Sequence, residues 1–151
     1  MANPMYGQNK AYTGIDNLSS IFKVLKYTIT LDDTGVAADA ALVTDGIPAN
    51  FVPVYCKVKN TGDVVLHSGA AVLDIETSDV LLTTSLSSLA AGDHVACMCM
   101  QAINAAPVAI GTAAKDIEVK TAALKCNTAV GTTIEVTLVG FDATSNLADE
   151  S

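Results

Sequence analysis

The chain has 151 residues, half of them hydrophobic, yet aromatics make up only 5% and there is no Trp. That length suits one domain, and an apolar content of Ala, Val, Leu and Ile suits a thin sheet core. Sixteen acidic against 8 basic residues give a net charge of −8, which leaves no basic footprint for nucleic acid and is repelled by an anionic membrane surface.

Residues 1–22, MANPMYGQNKAYTGIDNLSSIF, differ from everything after them. Asn, Gly, Tyr and Ser dominate, and the apolar residues follow no period. Two readings stand: a disordered leader, or an arm that orders on a partner through Tyr6 and Tyr12, amphipathic rings of the type enriched at interfaces. The start lacks an apolar run behind a charged segment, and no stretch approaches the ~20 apolar residues of a membrane span. A soluble protein made in the cytoplasm is expected.

The body begins with a half-buried strand over residues 23–31. Leu25, Tyr27, Ile29 and Leu31 alternate with Lys26, Thr28 and Thr30. Asp32-Asp33-Thr34-Gly35 makes a turn. The acidic pair lacks the six to eight oxygens that calcium takes. Residues 36–47 are Ala-rich and soft, with Asp39 and Asp45 breaking any long element. Pro48-Ala49-Asn50 then leads into a strand over residues 51–60, with Val52, Val54, Cys56 and Val58 opposite Tyr55, Lys57 and Lys59. Pro53 cannot donate to a ladder, so this strand is expected at an edge, or to start after it.

Asn60-Thr61-Gly62-Asp63 reads as a hairpin turn with a brief return over residues 64–67. Ala71, Leu73 and Ile75 alternate with Val72, Asp74 and Glu76, whose carboxylate face is expected in solvent. Residues 78–92 fit either a short helix or an irregular crossover. Residues 95–102 read as a strand apolar on both faces: Val95, Cys97 and Cys99 on one, Ala96, Met98 and Met100 on the other. Such a strand is buried on both sides or lies in an interface. A loop with Pro107 and Gly111 follows, then Ile117, Val119 and Thr121 alternating with Glu118 and Lys120.

The strongest strand is GTTIEVTLVGFD, residues 131–142, placing Ile134, Val136 and Leu138 on one face and Thr133, Glu135 and Thr137 on the other. It is expected to close a sheet against earlier strands. The total is seven or eight short strands with turns between them and no strong helix, the pattern of an antiparallel sandwich or barrel. The expected division is an extended N-terminal arm (1–22), an all-β body (23–146) and a short acidic tail (147–151).

The residues that resemble a metal site are His94, Cys97 and Cys99, with Cys56 or Cys126. Zinc sites pair ligands two to four residues apart, and Cys97-x-Cys99 is tighter than that. Buried free thiols are the expectation. His67 and His94 sit beside turns, without the activating neighbour that a Cys–His nucleophile needs. No nucleophile elbow, phosphate loop or dinucleotide fingerprint is present. The residues point to no enzyme, no metal site and no cofactor.

Two pieces resemble a known family. The head, Met1-Ala2-Asn3-Pro4-Met5-Tyr6-Gly7-Gln8-Asn9-Lys10, is similar to the starts of small virion proteins from tailed phages of marine bacteria and cyanobacteria. The turn Gly46-Ile47-Pro48-Ala49 before Val52-Pro53-Val54, with the Gly-Thr-rich closing strand, resembles small β-sandwich proteins encoded beside phage major capsid proteins. The cysteines are not part of that pattern. The resemblance implies a jelly-roll capsid decoration, or cement, protein on the outer surface of the virion. It would form a homotrimer that binds the major capsid protein and clamps neighbouring capsomers, with no nucleic acid or membrane partner. Tyr6, Asn9 and Tyr12 of the arm would contact capsid or sister subunit, and Val95, Met98 and Met100 would line the oligomer interface. The rival is a phage fibre or adhesin-like module binding host glycan, against which the lack of Trp argues.

Overall fold

A computed structural model describes residues 22–76, 78–99 and 112–142. They contain eight strands and no helix: β1 (Phe22–Leu31), β2 (Ala41–Ile47), β3 (Phe51–Asn60), β4 (Val72–Ile75), β5 (Ser78–Leu82), β6 (His94–Met98), β7 (Lys115–Lys120) and β8 (Thr132–Asp142). Two antiparallel four-stranded sheets result, ordered β1-β8-β3-β6 and β2-β7-β4-β5. Along the chain β1 pairs with β8, β2 with β7, β3 with β6 and β4 with β5. These pairs nest one inside the next and alternate between the sheets, which makes the fold a jelly-roll β-sandwich.

The closing strand is the pivot. β8 lies between β1 and β3 and registers with each of them. Its Ile134, Val136 and Leu138 are fully buried against Cys56, Val58, Leu73, Ile117 and Val119 of the common core. At about 1.5–3 kcal/mol for each large side chain removed from water, this layer supplies much of the driving force. The alternation read in residues 23–31 is also present, with Leu31 buried and Leu25, Tyr27 and Ile29 packed against the core.

Several expectations are corrected. Residues 36–47 do contain a strand, β2, interrupted by register shifts after Ala41 and Val43 where Asp45 takes φ 50°. β3 is neither an edge strand nor delayed by Pro53. It starts at Phe51 and lies between β8 and β6. Pro53 is accommodated because its β8 ladder shifts register between Pro53 and Tyr55, and β6 begins pairing only at Tyr55. Asn60-Thr61-Gly62-Asp63 does not make a hairpin. The chain crosses there to the other sheet, and residues 64–67 contribute only the bridge between Leu66 and Cys126. Residues 78–92 hold β5 and then an irregular crossing. Asp74 is 4% exposed rather than solvated.

Candidate interaction surface

The register of the β1-β8-β3-β6 sheet fixes what its outer face presents. Because Leu25, Ile134, Val136, Leu138, Cys56 and Val58 point inward, their alternate neighbours point out. Val24 pairs with Val139, Val139 with Tyr55, and Tyr55 with Met98, so one apolar row crosses all four strands. A second row beyond it joins Phe22, Phe141 and Val52. Phe22, Val24 and Met98 are 48%, 59% and 58% exposed. The Phe22 and Phe141 rings pack as a tilted pair, inclined at 46° with centroids 4.5 Å apart, a spacing within the favourable range for aromatic pairs.

On the other side of the apolar rows the face turns basic. The next row is Lys26, Thr137, Lys57 and Ala96, and the one after it Thr28, Glu135, Lys59 and His94. Glu135 accepts from Lys26 Nζ at 3.3 Å. Thr137 is buried between the two lysines, and its hydroxyl finds no partner among the described residues. A chain of net charge −8 thus carries three of its lysines, Lys26, Lys57 and Lys59, beside this exposed apolar patch.

The flanks of the sandwich are closed. At one, the Tyr27 hydroxyl of β1 donates to the Gly46 carbonyl of β2, and burial raises its pKa. At the other, Cys97 and Cys99 Sγ both donate to the Leu81 carbonyl, at 3.0 and 3.4 Å, joining β6 and the residue after it to β5. All four cysteines are free. Burial, with Cys97 beside it, pushes the Cys99 thiol up to about 12, and burial raises Cys56 and Cys126 as well. These are packing thiols, held protonated. His94 projects from the opposite side of β6, and Cys126 lies by Leu31. Among the described residues no three metal-ligating side chains gather.

The other sheet offers a different face. Asp74, Asp116 and Glu118 point outward there, alternating with the core residues Leu73, Ile75, Ile117 and Val119. Lys120 Nζ lies 2.8 Å from Glu118 and 2.9 Å from Asp39, and both contacts hold its charge. Val72, Asp74, Thr83, Lys120 and Thr121 line an open cleft of about 530 Å³.

Of the residues expected at contacts, Tyr6, Asn9, Tyr12 and Met100 lie outside the described residues. Val95 faces the core from β6, whereas Met98 stands on the outer face. The rows joining Met98 to Val24, Tyr55 and Val139, and Phe22 to Phe141, bring in residues beyond those expected at contacts. Their signal was in the sequence: the polar phase of β1 begins with Phe22 and Val24, and that of β8 ends with Val139 and Phe141. No protein-family model matches the chain, and no curated protein shows a significant match.

Proposed function

We propose that this chain is a structural protein of a virion, a capsid decoration protein that works through contact and carries out no reaction. The observation behind this reading is the apolar row Val24–Val139–Tyr55–Met98 displayed across the outside of a jelly-roll sheet. Soluble monomers seldom leave a contiguous apolar patch uncovered without a use for it, and jelly rolls serve repeatedly as capsid and lectin domains. In this reading the patch seats on the major capsid protein or on sister subunits of a homotrimer, and the flanking lysines favour an acidic partner surface. The resemblance of the head to the starts of small phage virion proteins, and of the turn before β3 to small β-sandwich proteins encoded beside phage major capsid proteins, points the same way.

The test is the copy number of this chain in purified particles from its source culture, measured against the main shell protein. A number close to that of the shell protein supports decoration. A handful per particle moves the chain to a tail or fibre, and absence from particles overturns the reading. A glycan-binding module draws its support from the cleft at Asp74, Thr83, Lys120 and Thr121, whose polar groups suit sugar hydroxyls. That cleft carries no aromatic platform, and binding on a panel of host glycans would favour this second reading.

A further inference from the structure

A sandwich of two open sheets has four edges, and each is a row of unpaired N–H and C=O groups unless it is blunted. Three of the edges here carry such a device. β5 and β6 are only five residues long, and β2 shifts register twice and takes φ 50° at Asp45. β1 has none. It runs for 10 residues without proline, in unbroken register with β8. Among the described residues no strand pairs with its other side. Tyr27 reaches β2 through its side chain, so the closed flank still leaves the backbone ladder of β1 incomplete.

The burial of β1 is incomplete as well. Leu25, Tyr27 and Ile29 face the core but are only half-buried, whereas Ile134, Val136 and Leu138 beside them on β8 are fully buried. Phe22 and Val24 stand exposed on the outer side. A further strand laid along β1 would cover apolar side chains on both faces. The lysines of β1 do not guard the edge by charge, because β8 matches both of them. Lys23 lies 2.8 Å from Asp142 and Lys26 lies 3.3 Å from Glu135.

The strand that fits is β1 of a second copy. Antiparallel pairing about a two-fold axis sets one residue opposite itself, and the longest overlaps, about nine of the 10 residues, centre on Lys26 or Tyr27. Centring on Lys26 opposes like charges, which is destabilising. Centring on Tyr27 sets Leu25 opposite Ile29 of the second copy, Lys26 opposite Thr28 and Val24 opposite Thr30, so apolar meets apolar on the core side and no charge meets its like. The flank measures about 34 Å along β1 and about 20 Å across both sheets with their side chains, roughly 700 Å² against the roughly 800 Å² per partner of a stable interface. We propose that the chain in solution pairs edge to edge with a second copy through β1, Tyr27 against Tyr27, joining two β1-β8-β3-β6 sheets into one of eight strands. The pairing goes beyond the decoration reading and leaves Val139, Tyr55 and Met98 on the outer face. Copy number on purified shells tests that reading, and the mass of the chain in solution tests this one.

The measurement is sedimentation of the full chain at about 100 μM, which populates even weak pairs, in about 0.15 M salt, which screens the net charge of the two copies. The wild type is expected at twice the 15.5 kDa of one chain. Val24→Lys plus Thr30→Lys, both at exposed positions, sets lysine opposite lysine across the axis and should weaken the pair about tenfold or more. Val24→Lys plus Thr30→Glu sets opposite charges there and should restore it. A wild type with the mass of one chain overturns the proposal, and the mass of three overturns it in favour of a trimer. A dimer that the two lysines leave unmoved, or that both variants weaken equally, overturns it too. If the lysines unfold the sheet, hydrogen exchange on the wild type decides. On dilution below the dissociation constant the β1 amides should lose protection while the β8 amides keep theirs, and β1 protection that ignores dilution overturns the pairing.

Discussion

Asn60 shows how much one buried amide can hold. It is fully buried, its Nδ2 donates to the carbonyls of Val64 (2.8 Å) and Leu89 (3.0 Å), and its Oδ1 accepts from Gly62 N–H (3.2 Å) and the Thr132 hydroxyl (2.8 Å). The crossing after β3, the loop before β6 and the start of β8 therefore meet on one side chain. Asn60→Ala strands those partners at about 1–3 kcal/mol per buried group, and we expect a loss of about 3 kcal/mol or more in urea unfolding. Thr137→Val should act in reverse. It keeps the β-branched shape and removes a buried hydroxyl without a partner, so the melting temperature should hold or rise, and a fall would show that the hydroxyl is satisfied in solution. Asp32 supplies a pH signature. The Thr34 hydroxyl, the Gly35 N–H and the Thr34 N–H donate to its Oδ1 and hold its pKa below the ordinary carboxylate value. A depressed folded pKa means stability present above the unfolded value and lost as pH falls through the folded one. The difference in melting temperature between wild type and Asp32→Ala should therefore be open at neutral pH and close below the Asp range.

At the level of strands, the period-two alternation that makes β8 legible is what β2 lacks. Ile134, Val136 and Leu138 keep strict period two through a regular ladder to β1, so pattern and structure coincide. β2 pairs with β7 only at Ala41, Val43 and Ile47, and the shifts between them scramble the alternation on which the reading depends. Pro53 misled for a related reason, because the bulge that tolerates it is a tertiary event. The hairpin reading at Asn60 failed because turn chemistry says that the chain leaves a strand, not which sheet it enters. The apolar rows were half visible: the apolar start of β1's outward phase and the apolar end of β8's superpose only once the two strands are known to run antiparallel in this register. The bulge in β3 also makes a demand on β8. A Cβ on Gly140 would lie 2.2 Å from the Val52 carbonyl oxygen and 2.6 Å from the Phe51 ring. Gly140→Ala must push β3 away, and a loss of about 1–3 kcal/mol is expected, measurable by chemical denaturation.

Taken whole, the molecule separates its surfaces by chemistry. One sheet displays apolar rows beside lysines and the other displays carboxylates, while thiols and a tyrosine seal the flanks. The seal predicts a reactivity pattern: at pH 8 a thiol reagent should leave Cys56 and Cys99 unmodified in the native chain and label them on denaturation. Rapid native labelling of both would mean that the β5–β6 flank opens. The nesting of the strand pairs has a consequence for synthesis. β1 and β3 are adjacent to β8 and not to each other, so a ribosome that has translated everything up to Gly131 has made a chain whose first sheet has no centre. In that sheet β1 stands apart from the β3–β6 pair, with bare edges and apolar inner sides, until residues 132–142 emerge. Premature termination should yield insoluble fragments in place of a smaller folded protein, so that β8 acts as a completeness check on the translated product.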